Sequence, residues 1–102
     1  MQSMMHRYRL SRLAEKDLAD IWRYTLDNWS REQANKYLKG LLNACSKIAA
    51  APDMLGQTYE HVREGYRKYP YSRHVIFYKT VEDGNILISR VLHERMDFDS
   101  HL

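Results

Sequence analysis

"RHVIFYKTVEDGNILISRVLH", residues 73–93, is the stretch on which the fold turns. Val75, Ile76, Phe77 and Tyr78 form a run of β-branched and aromatic residues, side chains that pack well on a pleated surface and so favour an extended strand. "EDGN" carries an Asp-Gly turn signal, and "ILISRVL" supplies a second strand of the same character. Strands joined this tightly pair as a hairpin. Strict alternation along the second strand puts Leu87, Ser89, Val91 and His93 on one face, and Ile86, Ile88, Arg90 and Leu92 on the other.

Upstream of the hairpin, "GYRKYPY" reads as another extended segment and "PDMLGQT" as a loop. The first half of the chain has a different period. "HRYRLS" alternates through Tyr8 and Leu10 and predicts a short strand over residues 6–11. Ser11 suits a helix N-cap, and Ala14, Leu18, Ile21, Trp22, Thr25 and Trp29 then recur at three- and four-residue spacing, one face of a helix. Ser30 precedes Gln33 in a capping-box arrangement. A second helix follows through Ala34, Tyr37, Leu38, Leu41, Leu42, Cys45, Ile48 and Ala49, ending by Pro52. With almost no linker between them, the helices must fold back as an antiparallel pair. Trp22, Trp29 and Tyr37 are expected in the core, with Trp29 wedging the helix junction. The order β-α-α-β-β-β gives an α+β fold: a helical hairpin on one face of a small, mostly antiparallel sheet of three or four strands. The other sheet face, or one edge, is left for something else to cover.

At 102 residues the chain is one domain, 1–102. No apolar run is long enough for a membrane span, and the expected location is cytoplasmic. Cys45 has no internal disulfide partner and sits in the apolar series of the second helix, where a buried, inert thiol is expected. Net charge is +3, and its distribution matters more than its size. Arg63, Arg67, Lys68, Arg73 and Lys79 cluster with only Glu64 against them, which predicts an anionic partner, nucleic acid or an acidic protein segment. A solvated hairpin edge is the plainer alternative for this group.

Four segments, "YRLSRLAEKDLADIWRYT", "REQANKYL", "VREGYRKYPYSRHVIFYK" and "ISRVLHERMDFDSHL", together resemble the ParE branch of the RelE/ParE toxin superfamily of type II toxin–antitoxin systems. The likeness runs over roughly residues 7–102, with the pieces in order and at matching spacing. It implies the RelE/ParE-like fold and a toxin that poisons DNA gyrase, held inactive by a ParD-like antitoxin. Other members of the superfamily are ribosome-dependent mRNA endonucleases.

Cleaving RNA through its 2′-hydroxyl requires a base, an acid and cations placed where charge develops on phosphorus. If the chain is a ribonuclease of this kind, Arg67, Arg90 and Arg95 are the candidate phosphate ligands and His93 the acid or base. The acid-base part is poor: the tail "RMDFDSHL" has no tyrosine, and Asp97 and Asp99 would repel a phosphate backbone. A lone histidine at a strand end, as His93 or His74, more often anchors a turn than transfers protons. Arg90, in an apolar row, needs a partner, either a carboxylate from the helices or a group on another molecule. The favoured reading is therefore a binding toxin with no catalytic residue, whose contact residues are Arg63, Tyr66, Arg67, Lys68, Arg73, Arg90 and Arg95. An inert partner-binding domain is a third possibility. No metal or cofactor is expected: His6, His61 and His101 are not at ligand spacing. Nor is sequence-specific nucleic-acid binding. Exposed apolar surface beside basic residues suits an acidic, amphipathic segment that is disordered until bound, as in a ParD-like antitoxin.

Overall fold

The chain enters through a short strand, β1 (Tyr8–Leu10), and Ser11 turns it at once into helix α1 (Arg12–Asn28). The Ser11 hydroxyl accepts the Ala14 N–H at 3.0 Å and donates to the Ser89 carbonyl at 2.7 Å. One side chain thus caps the helix and fastens its start to the sheet. Ser30 repeats the cap for α2 (Arg31–Ala50), accepting the Gln33 N–H at 3.0 Å. Trp22 Nε1 donates to Asn35 Oδ1 at 2.9 Å across the helical hairpin. Trp29 does not wedge the junction as expected; it is 76% exposed. Ala34, fully buried, allows the tight reversal at that end, and the indole is left on the flank of α1. The computed structural model describes residues 7–52, 55–58 and 64–102.

The sheet holds five strands in the order β1-β5-β4-β3-β2. β3 (Arg67–Tyr71), β4 (His74–Thr80) and β5 (Ile86–His93) form the antiparallel meander read from the sequence. Two features enlarge it. Gln57–Thr58, within the expected loop, adds a minimal strand β2 on β3, and β1 pairs with β5 in parallel, making the sheet mixed. The Asp-Gly signal is realised as a single 3₁₀ turn, Glu82–Gly84, closed by the Val81 N–H donating to the Asn85 carbonyl at 2.8 Å.

Both helices lie on one sheet face. Ala14 and Leu18 of α1 and Leu41, Cys45 and Ile48 of α2 close over Ile76, Tyr78, Ile86, Ile88 and Val91. On the opposite face Val75, Phe77 and Leu92 form a smaller cluster, partly covered by the chain's own end: Phe98 of a terminal 3₁₀ turn (Phe98–Ser100) meets Phe77 edge-on at 4.9 Å between centroids, and Leu102 packs beside it.

Alternation along β5 does not hold as the sequence suggests. Phe77 pairs with Arg90 but its neighbour Tyr78 pairs with Ile88, so Ser89 is an extra residue, a β-bulge. Because side chains alternate with a period of two, one inserted residue exchanges the faces beyond it. Val91 therefore joins Ile86 and Ile88 under the helices, while Leu92 moves to the far face with Val75 and Phe77. β1 ends its pairing at Ile88, so β5 beyond the bulge is an edge. Asp17 of α1 meets that edge. Its Oδ2 accepts Arg90 Nε at 2.8 Å and the Val91 N–H at 2.9 Å, and its Oδ1 accepts Arg90 Nη2 at 2.9 Å. Arg90 Nη1 continues to the His101 carbonyl at 2.9 Å, tying the C-terminal turn to the same point.

Asp17 and Arg90 have side chains only 11% and 16% exposed, so removing the acid leaves a cation and a backbone donor without compensation. We expect Asp17→Ala to lower unfolding free energy by about 3 kcal/mol, read by urea denaturation. Adding Arg90→Met should recover only part, because the Val91 N–H stays unpaired; a loss under about 0.5 kcal/mol in the single variant would contradict this account. Gly56 offers a second test. At φ +78 an added Cβ would lie 2.5 Å from Tyr78 Oη and 2.6 Å from the Lys68 carbonyl oxygen. Gly56→Ala should cost at least about 2 kcal/mol by the same measurement.

Candidate functional site

The bulge sets the wall of a groove of about 930 Å³ between α1, the start of α2 and the ends of β4 and β5. Ile21, Tyr24, Thr25 and Trp29 form the α1 side, Gln33 and Tyr37 the α2 side, and Arg73, His74, Val91, His93 and Met96 the sheet side, with Asp17 and Asp20 at one end. Tyr24 and Trp29 are 66% and 76% exposed, and Met96 is 38% exposed, so the rim offers apolar surface to solvent. Apolar side chains exposed together along one groove make it a candidate place for another molecule to pack.

His74 and His93 are direct cross-strand partners, brought to the helix-side face by the bulge. Their rings meet edge-on with centroids 5.2 Å apart. Tyr37 holds His74 in place: its Oη lies 2.7 Å from His74 Nδ1 and accepts the Arg73 N–H at 3.3 Å. Burial, and next the neighbouring His93, push the His74 imidazole down to about 4, so it is neutral near pH 7. His93 Nδ1 accepts the Arg95 N–H at 3.1 Å, a turn-anchoring bond of the kind expected at a strand end. Arg73 projects from the β3–β4 turn with its side chain 68% exposed, and its only ion pair among the described residues is with Glu94 at 3.9 Å. So exposed and long a pair contributes little. Burial raises the Cys45 thiol to about 12, which leaves it without nucleophilic character.

The residues singled out in the sequence do not converge. Arg67 points to the β2 end of the sheet, where Nη2 donates to the Leu55 and Gly56 carbonyls at 3.4 and 3.3 Å and Nε to Tyr78 Oη at 3.4 Å. Arg67 pairs with Tyr78 and Tyr71 with His74, so the two sites are roughly 13 Å apart along the strand at about 3.3 Å per residue. Tyr66 packs on the far-face cluster with Lys79 Nζ 5.8 Å from its ring centroid, and Lys68 sits opposite Phe77. Of the two partners open to Arg90, a helix carboxylate is the one present. Arg95 is exposed just past His93. Arg63, His6 and His61 lie outside the described residues. Among the described residues, no three His, Cys, Asp or Glu side chains are grouped to hold a metal ion, and no helix is long and apolar enough to cross a membrane.

The sequence reading expected an exposed groove or sheet face but did not place it between α1 and the β4–β5 end. Tyr24 is an aromatic residue off the apolar series of α1, a signal that could have pointed to it; Met96 and Asp17 carry no such signal.

The ParE_toxin family, described as the ParE toxin of type II toxin–antitoxin system parDE, matches residues 8–98. A Toxin ParE1 of Mycobacterium tuberculosis is 41% identical over 99 residues, covering 97% of this chain and 100% of that protein. A Toxin ParE1 of Caulobacter vibrioides is 43% identical over 98 residues, with coverage of 96% and 99%. Among solved structures, a chain of a chromosomal ParDE toxin–antitoxin system from P. aeruginosa superposes with TM-score 0.74 at 19% identity, over 88% of this chain and 96% of that one. A chain of the RelBE2 toxin–antitoxin complex from Mycobacterium tuberculosis does so with TM-score 0.67 at 16% identity, over 89% and 100%. Both structures share the two-helix, mixed-sheet fold. By family match and by identity along nearly its whole length, this chain belongs to the ParE toxin family of type II toxin–antitoxin systems.

Proposed function

We propose that the protein is a toxin of the cytoplasm that acts by binding, with DNA gyrase as its target, and that a ParD-like antitoxin neutralises it by laying an amphipathic segment in the groove between α1 and the β4–β5 end. The observation that carries this reading is the scatter of the would-be ribonuclease residues. Arg67 serves loop carbonyls, Arg90 serves Asp17 and the chain end, and His93 Nδ1 is held by the Arg95 amide. A phosphate clamp needs two or more cations within contact of one phosphate and a proton-transfer group beside them. Assembling one from Arg67 and Arg90 would require undoing bonds that hold the fold.

An apolar trough with an aromatic rim has the form in which an amphipathic helix docks through residues spaced three and four apart. Large aromatic side chains at such sites commonly carry a disproportionate share of the affinity. The gyrase target rests on the resemblance to the ParE branch, and the binding mode on the groove.

Two assays on purified protein separate binding from cleavage: gyrase supercoiling with scoring of cleaved DNA, and mRNA integrity in a translating extract. Inhibited supercoiling with intact transcripts is expected. Transcripts cut in the extract, protected by His93→Ala, with plasmid topology unaffected, would replace the proposal with the ribonuclease reading. For the antitoxin, Trp29→Ala and Ile21→Asp should each weaken the complex about tenfold or more by calorimetry; unchanged affinity would place the docking surface elsewhere.

A further inference from the structure

The sheet-side wall of the groove carries hydrogen-bond donors that have no acceptor among the described residues. Tyr37 Oη accepts from the Arg73 amide, so its own proton is free to go to His74 Nδ1 at 2.7 Å, much closer than the Tyr71 carbonyl at 3.4 Å. With the Tyr37 proton placed in that shorter contact, His74 carries its hydrogen on Nε2. His93 reaches the same tautomer by another route, since its Nδ1 must be unprotonated to accept the Arg95 amide. Among the described residues neither Nε2 has a hydrogen-bond partner. Two half-buried imidazoles in ring contact thus each carry such an N–H, and Arg73, which lines the same groove, has only a long and exposed ion pair.

We propose that Arg73 and the Nε2–H groups of His74 and His93 form a subsite for one side-chain carboxylate of the antitoxin segment seated in the groove. The inference rests on the docking reading above and names what that docking recognises. The chemistry fits an acceptor that brings its own charge. A half-buried donor left without an acceptor is costly, and a charge-assisted bond to a carboxylate is the strong way to satisfy it. The other charged and titratable groups around the pair do not compete. Asp17 on α1 is filled by Arg90 and the Val91 amide, Asp20 on α1 is bonded to Lys16, and Tyr37 on α2 is hydrogen-bonded to His74. Glu94, past β5, holds only the weak pair with Arg73, and Arg95 beside it adds positive charge.

A single carboxylate on an otherwise apolar segment suits this wall better than a nucleic acid does. Ile21, Tyr24, Trp29 and Met96 line the approach, and Asp20 and Glu94 flank it, so a chain of phosphates would meet apolar side chains and like charge.

The test uses the toxin co-produced with the antitoxin encoded beside it. Each Asp and Glu of the antitoxin's C-terminal half is changed in turn to Asn or Gln. Each change is then combined in double-mutant cycles with Arg73→Gln, His74→Leu, His93→Leu and the conservative His74→Gln and His93→Gln. One antitoxin carboxylate should couple to Arg73 and to both histidines. The Leu variants should weaken binding about tenfold, whereas Gln, which retains an N–H donor, should stay within about threefold. Thermal melts of the free variants separate loss of binding from loss of fold, and the His93 variants keep the test open if His74→Leu fails to fold. Equal affinity of Leu and Gln variants, or no coupled carboxylate, overturns the subsite; if Trp29→Ala and Ile21→Asp still weaken that complex, the groove reading survives its loss. If those two variants also bind normally, both fall. Histidine-dependent binding of an RNA or DNA oligonucleotide in preference to the antitoxin would likewise overturn the proposal.

Discussion

One carboxylate, Asp17, holds together the place where the regular sheet breaks. The bulge at Ser89 disrupts the β5 ladder and leaves backbone groups that must find other partners. Ser11 takes the Ser89 carbonyl, and Asp17 takes the Val91 amide together with both donors of the Arg90 fork. Each comes from α1 or its cap. The helix is thereby docked on the sheet by polar bonds at its first turns as well as by Ala14 and Leu18. A buried ion pair is a poor stabiliser in general, since desolvation can cancel its attraction. Here its value is geometric: it fixes α1 against an irregular edge where apolar packing alone would allow sliding.

The groove follows from that irregularity. Continued alternation would have turned His93 to the far face and brought Leu92 under the helices. Instead the inserted residue places His93 across from His74 on the helix side, next to the open flank of α1. Where α1 runs beyond its contacts with β5, Tyr24 and Trp29 are left without cover and the space between becomes the trough. The far face is treated differently, because the C-terminal turn folds over Phe77 and Leu92 and is held there by Arg90. One apolar surface is thus closed by the chain itself and the other stays open.

What was legible in the sequence was local. Ser11 and Ser30 announce the two helix starts, Pro52 bounds the second, and the β-branched runs around the Asp-Gly signal give the hairpin, because each signal acts within a few residues of its partner. The bulge was not legible, since an extra residue exists only relative to the register of the opposite strand. Asp17 and Arg90 are 73 positions apart, and nothing in either neighbourhood marks them as a pair. The parallel partner of β1 was open for the same reason. Trp29 misled in a different way: the three- and four-residue spacing continues to it, but α1 ends at Asn28, and a spacing pattern does not say where the surface it would face runs out. Within the basic cluster, strand pairing sends Arg67, Lys68 and Arg73 to different ends and faces, which composition alone does not show.

That dispersal bears directly on the choice between a toxin that cuts and one that grips. Cations can assist a reaction only where they are free to meet charge that develops during it, and a guanidinium already saturated by fixed acceptors has little to give. Arg90 makes three bonds within the chain and Arg67 shares its donors among loop carbonyls and Tyr78. Arg73 and the two imidazole N–H donors sit instead at the head of an apolar trough, with Arg95 exposed just past His93. An arrangement of this kind recognises a shape with one charge in it. On the proposed reading, a partner segment that carries one charge is received on the surface that the fold leaves open.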